Sequence, residues 1–298
     1  MKRVLTVPPT LDDEAFDGLV RDAAASGGDG DEQGFIVNAR NVDFANPYGM
    51  IGLLALGQHL GATHRTRLEL PDSPDVLSYM GRMGFFHQAA GIFDGTVEPR
   101  GRRPDGPSSV LLEITPVRSH EDIHTVIDEV NERAGTILSQ RLGYSRAESV
   151  MFSAVLSEVC QNIVEHAEVG GWVGIQTYNW ARRLGRQVVV IAVMDLGVGF
   201  RGSLAREHSA RFGEKWDDAT ALEAAFTQGT TRFRDPGRGQ GIKQIRKNVG
   251  RWGGKVSIRS GTAKVAQIPD WDDDLPLERN LPHFPGSQIL IVIPAKIS

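Results

Sequence analysis

A single cysteine, Cys160, stands in 298 residues, which excludes an internal disulfide and any Cys-rich zinc site. No apolar run approaches the ~18 residues that a membrane-crossing helix requires. The opening stretch, Met1 to Pro9, has no long apolar segment behind its charges. A cytoplasmic protein without a membrane partner is therefore expected. Basic excess is also missing: 33 Lys and Arg face 37 Asp and Glu, for a net charge of −4. That balance argues against a general nucleic-acid-binding surface. The patterns G-x-x-x-x-G-K-[ST] and G-x-S-x-G do not occur, so the common P-loop and nucleophile-elbow chemistries are not indicated. No repeat recurs at a fixed period.

The chain is 40% hydrophobic and long enough for two domains, each with a core. The first part alternates short apolar strands (3–7, 34–38, 67–70) with helical stretches (11–25, 47–60, 74–83), which predicts a small α/β domain over 1–92. Residues 93–107 are rich in Gly, Pro and charge and read as a linker. From 108 to 298 the order changes. A strand at 110–114 precedes helices from Ser119 to about Arg141 and from Ser145 to His166, with Ser119 and Ser145 as N-caps and Glu148 completing a capping box. Strands follow at 172–179 and 187–194, then an irregular stretch over 200–236, a helix from Gly239 to Trp252, and closing strands at 255–260, 263–268 and 287–293. This order predicts a mixed sheet with helices on one face.

Three segments carry chemistry. On the second long helix, residues four apart differ by only ~40° in direction. Glu158, Asn162 and His166 therefore form one polar track, with Glu165 close to Glu158 in angle, beside the apolar Met151, Val155, Val159 and Ile163. Asn offers a carbonyl oxygen to Mg²⁺, and Glu can act as general base. The plainer alternative is an amphipathic helix whose polar residues face water. The second segment begins at Asp195, which ends an apolar strand and can accept a hydrogen bond from an exocyclic amine; Gly197 and Gly199 follow. The residues Gly197-Val-Gly-Phe-Arg-Gly202 also match the dinucleotide fingerprint, but no apolar strand follows at the spacing that fingerprint needs. In the third segment Gly237, Gly239 and Gly241 open a helix, with Arg238 and Lys243 nearby, as suits phosphate; the alternative is a surface turn.

Taken in this order, these residues resemble the GHKL ATPase superfamily of gyrase-type topoisomerases, heat-shock chaperones, histidine kinases and mismatch-repair proteins. The resemblance covers about residues 118–298 and implies a GHKL-type α/β sandwich that binds ATP and Mg²⁺. It makes Glu158 the catalytic Glu, Asn162 the metal ligand and Asp195 the adenine-binding residue. Gly197 and Gly199 become the glycine partners of Asp195, and Gly237, Gly239 and Gly241 the later glycine box. His166 stands where many kinases carry a basic residue. Residues 200–236 become a flexible lid. Ser287, after Gly286, stands where the family has a Thr. The first ~90 residues resemble a STAS domain, carried by 34–43, 49–56 and 67–85. Its regulated Ser or Thr would fall in 44–48, which has neither.

The two resemblances together imply a nucleotide-dependent signalling regulator. One form is an anti-sigma-type serine/threonine protein kinase acting on a separate STAS-type or other regulatory protein. The alternative is an ATP-gated interaction switch with slow hydrolysis, for which a homodimer is one arrangement. A histidine kinase, using His120 or His124 as acceptor, is a third reading.

Overall fold

The computed structural model describes residues 2–26, 34–96, 110–167, 169–181, 184–229 and 241–296. Two compact units divide the chain: residues 1–115 with 174–176, and residues 116–173 with 177–298.

In the first unit the order is β1 (Arg3–Thr6), β2 (Thr10–Leu11), α1 (Asp13–Ala25), β3 (Phe35–Asn38), β4 (Phe44–Ala45), α2 (Pro47–Gly61), β5 (Thr66–Glu69), α3 (Pro74–Arg82) and α4 (Phe85–Ala89). β3 lies between β1 and β5, parallel to both. Parallel neighbours need crossovers, and α1 and α2 supply them. Each helix starts where its sequence provides a cap. Asp12 Oδ1 accepts from the Ala15 N–H at 3.1 Å, and Asn46 Oδ1 from the Gly49 N–H at 2.8 Å, with Pro47 in the first turn. α2 is buried around nearly its whole circumference over residues 47–57, as expected of a helix apolar on every side. Of the stretch 93–107, Phe93 is buried and the Asp94 N–H donates to Thr66 O at 2.8 Å; residues 97–107 lie outside the described ones.

The later elements are β6 (Val110–Val117), α5 (His120–Leu142), α6 (Arg146–Asn162), β7 (Gly171–Trp180), β8 (Arg186–Asp195), α7 (Gly199–Phe212), α8 (Asp218–Glu223), α9 (Gly241–Arg251), β9 (Lys255–Gly261), β10 (Ala263–Gln267), β11 (Leu277–Glu278) and β12 (Phe284–Pro294). The seven-stranded sheet runs β11-β10-β9-β12-β8-β7-β6. β12 is antiparallel to both β8 and β9, so those two run parallel with one strand between them. The capping box expected at Ser145 and Glu148 forms, and Ser119 makes a second one with Asp122. Among the described residues no helix is long and apolar enough to cross a membrane.

Alternation along β9 sorts its side chains to two sides, and every residue of the strand is buried. Ser260 meets the start of α7, its Oγ accepting from the Phe200 N–H at 3.1 Å. Lys255 and Arg259 point the other way, to residues 270–283. Lys255 Nζ donates to Asp272 Oδ1 at 3.0 Å and pairs also with Asp274, while Arg259 donates to Pro282 O. The acidic stretch that interrupts the closing strands is thus a strap over the sheet face opposite α7. Two carboxylates neutralise a buried ammonium, as a buried charge requires.

Two expectations need correction. The stretch 200–236 is not an open loop from its start. α7, a 3₁₀ turn (Gly213–Lys215), α8 and a π-helical turn (Ala224–Gln228) fill it as far as Gln228, and residues 230–240 lie outside the described ones. Leu204, Trp216, Ala221 and Ala225 form the core of this block, with Phe200 and Phe212 against it. The second long helix is also not α-helical to His166. It ends at Asn162 and continues as a π-helical turn, Ile163–Ala167. The ~40° offset between residues four apart therefore holds from Glu158 to Asn162 and no further.

Candidate functional site

Asp195 ends β8 and is 5% exposed. Its Oδ1 accepts the Gly197 N–H at 2.8 Å and its Oδ2 the Ser287 hydroxyl at 2.7 Å. Burial pushes the carboxyl up to about 6, against the pull of the Ser287 and Gly197 hydrogen bonds. Each oxygen keeps acceptor capacity for a further donor. Ser287 reaches Asp195 because β12 bulges. Its register to β9 shifts between Phe284, opposite Gly261, and Ser287, opposite Ser260. A bulge re-aims a side chain, as here. Gly286, at φ +75°, sits in the bulge, and a Cβ there would collide with Asp195 O. The Ser260 hydroxyl donates to Gly286 O at 2.8 Å, tying the bulge to β9.

A second corner forms where α6 packs on α9. Glu158 is half-buried. Burial raises its carboxyl above the usual range, and the Glu165 charge raises it further. A Cβ added at Gly241, the first residue of α9, would collide with Glu158 Oε2. The first described residue of α9 thus stands directly against this carboxylate. One turn on from Glu158, the buried Nδ2 of Asn162 has no hydrogen-bond partner among the described residues. Turning the amide over would put Oδ1 in the same position, so a polar atom wants a partner there either way. The π-helical turn after Asn162 touches both β8 and α7. That contact brings the two corners to one end of the sheet.

No family model matches the chain, and no curated protein matches it. Among solved structures, the mycobacterial sensor histidine kinase MprB aligns over 59% of this chain and 97% of its own, at 18% identity and a TM-score of 0.28.

Of the residues singled out in the sequence, Asp195, Gly197 and Ser287 are joined by hydrogen bonds, and Glu158 and Gly241 are in apposition. Gly199, at φ +63°, starts α7 against Ser260 and Gly286 O. Lys243 is exposed on α9, with its stem 3.4 Å from where a Cβ on Gly229 would stand. The backbone of His166 lies in the π-helical turn. Gly237, Arg238 and Gly239 lie outside the described residues. His120 and His124 are exposed on α5. The strand–glycine–helix context of the dinucleotide fingerprint does form at β8 and α7. Its second strand does not, because antiparallel β12 occupies the place beside β8.

Sequence reasoning missed Ser260, Arg259 and Gln288, all buried. Also missed was Asp218, whose Oδ2 takes the Thr262 N–H at 2.9 Å and hydroxyl at 2.8 Å and so pins α8 to the β9–β10 turn. For Gln288 the available signal was a polar residue abutting the apolar run 289–293.

Proposed function

We propose that the second unit binds ATP with Mg²⁺ in the manner of a GHKL ATPase, and that the protein is a nucleotide-dependent signalling regulator. In this reading it is an anti-sigma-type serine/threonine protein kinase acting on a separate protein. The observation that carries the reading is the union of Asp195, Gly197 and Ser287. The family resemblance selects them from two segments 92 residues apart, and they form one hydrogen-bonded cluster at a strand end. A buried carboxylate with acceptor capacity left over suits the exocyclic amine of adenine.

The other corner fits a metal-bound triphosphate. The unpartnered amide of Asn162 calls for a polar ligand, and an amide oxygen is a donor that Mg²⁺ accepts. Gly241 leaves Glu158 clear access to the start of α9, and backbone N–H groups at such a start suit phosphate oxygens. Gly237, Arg238, Gly239, Lys243 and His166 would complete the phosphate contacts. Bound Mg²⁺-ATP would supply the phosphoryl group. Glu158, with its raised proton affinity, would take the proton from the attacking hydroxyl at Oε2. The first unit, read as STAS-like, would dock the partner rather than receive phosphate, since 44–48 holds no Ser or Thr.

The test pairs the purified chain and Glu158→Ala with γ-labelled ATP and candidate STAS partners. Label on a partner's Ser or Thr, lost in Glu158→Ala, supports the kinase. Partner binding that follows ATP while no protein is labelled in any pairing selects the interaction switch instead. No ATP retention by calorimetry ends both.

A further inference from the structure

Behind the Asp195 corner, on the opposite face of the sheet, lies a polar network that the family resemblance does not assign. Arg259 of β9 is 1% exposed and Gln288 of β12 is 0% exposed, and the two stand opposite each other in register. Such polar groups are costly inside a sheet unless they satisfy others. Here the others are backbone carbonyls that the bulge and the strap leave outside the strand ladder. Gln288 Nε2 donates to Pro285 O at 2.8 Å, inside the bulge, and lies 3.5 Å from Asp195 O. Arg259 donates to Gln288 Oε1 at 3.4 Å, to Gly261 O at 3.4 Å and to Pro282 O. The guanidinium also stands 5.8 Å over the ring of Phe284, the residue before the bulge.

This geometry has a directional logic. Arg259 has only donors, so the Gln288 atom facing it must be the carbonyl oxygen. That fixes the amide with Nε2 toward Pro285 O. Pro285 is then held, Gly286 is held on the other face by Ser260, and Ser287 is left pointing at Asp195 Oδ2. We infer that Arg259 and Gln288 are positioning residues that preset the Ser287–Asp195 pair, and so set purine affinity from the reverse side of the sheet. This inference rests on the ATP reading above.

Calorimetry on the full chain tests it, with Mg²⁺-ATP and inorganic tripolyphosphate as probes. Gln288→Met keeps the volume and deletes the donor to Pro285 O. It is expected to weaken ATP binding about tenfold, as the loss of one buried hydrogen bond would, while tripolyphosphate binding stays unchanged. Combined with Ser287→Ala, it should add nothing to the loss of Ser287→Ala alone, because both act through one contact. Where Gln288→Met fails to fold, Gln288→Glu serves. It keeps the bond to Arg259, lacks the donor, and should show the same purine-only loss. Additive losses, equal losses for both probes, or unchanged ATP affinity would overturn the inference. A wild-type chain that binds tripolyphosphate but shows no gain from the adenosine, or that binds neither probe, refutes the ATP reading itself and is seen before any variant is made.

Discussion

The two corners of the site are finished to different degrees. At Asp195 the chain supplies partners of its own: each carboxylate oxygen holds one donor from within the chain, the bulge is held from both faces of the sheet, and the residue is 5% exposed. At Glu158 and Asn162 the chain leaves groups wanting. One carboxylate faces a second of like charge, and an amide atom is buried without a partner among the described residues. A polar cluster whose every member is hydrogen-bonded defines a fixed shape, whereas a buried polar atom with no partner carries a cost that a ligand can relieve. On the proposed ATP reading, selectivity would belong to the first corner, and binding energy and chemistry to the second.

The largest effect that would break this contrast is at Asn162. Replacing it with Ala should lower Mg²⁺-dependent nucleotide affinity by about a hundredfold or more, with the melting temperature nearly unchanged. Isothermal calorimetry with a melt checks both, and normal affinity would remove Asn162 from the site. Next is Gly241→Ala. Its methyl meets the mobile end of the Glu158 side chain, not backbone, so the fold should absorb it. Turnover should still fall about tenfold as the carboxylate is displaced, an effect near 1.4 kcal/mol. A turnover assay beside a melt separates the two.

Ser287→Ala acts at the finished corner and should cost about tenfold in ATP affinity, read by calorimetry against GTP. A gain in stability with no loss of affinity would count against the role given to Ser287. The smallest effect is a pH slope. Asp195 titrates near 6 when folded, above the ordinary carboxylate value of ~4. The folded state therefore binds the extra proton between those values, and Asp195 contributes rising stability to the ligand-free protein as pH falls from about 6 toward 4. On the proposed reading adenine recognition would need the ionised acceptor, so ATP affinity should weaken over the same window. Opposed slopes in denaturant melts and in calorimetry are expected, and Asp195→Asn should flatten both.

Much of the second unit could be read from its sequence because β8 and β12 contain long apolar runs and its two long helices, α5 and α6, begin with Ser caps. α7 could not. Its first residue has no side-chain cap, and only Leu204 is buried among its described side chains, so neither a start signal nor an apolar stripe announces it. α8 carried a fainter sign in Asp217, whose side chain takes the Thr220 N–H at 2.7 Å. The candidate residues on α6 and β8 were legible because their spacing is local. The network of Arg259 and Gln288 was not, because it depends on a register set across 29 residues and on a two-residue shift in β12. Nor did the run of acids at 270–274 suggest an inward role, since its partner, Lys255, reads as a surface residue until the strand is found buried on both faces.

The position of β12 has a consequence for how the protein is made. Its neighbours β8 and β9 precede it in the chain, so during synthesis two half-sheets wait with open apolar edges until the strand that joins them emerges. Closing the gap is a long-range event, the kind that slows folding. Without residues 284–294, β8 and β9 would each present an unpaired edge to the gap, so a chain cut before Phe284 is expected to self-associate, which light scattering would check.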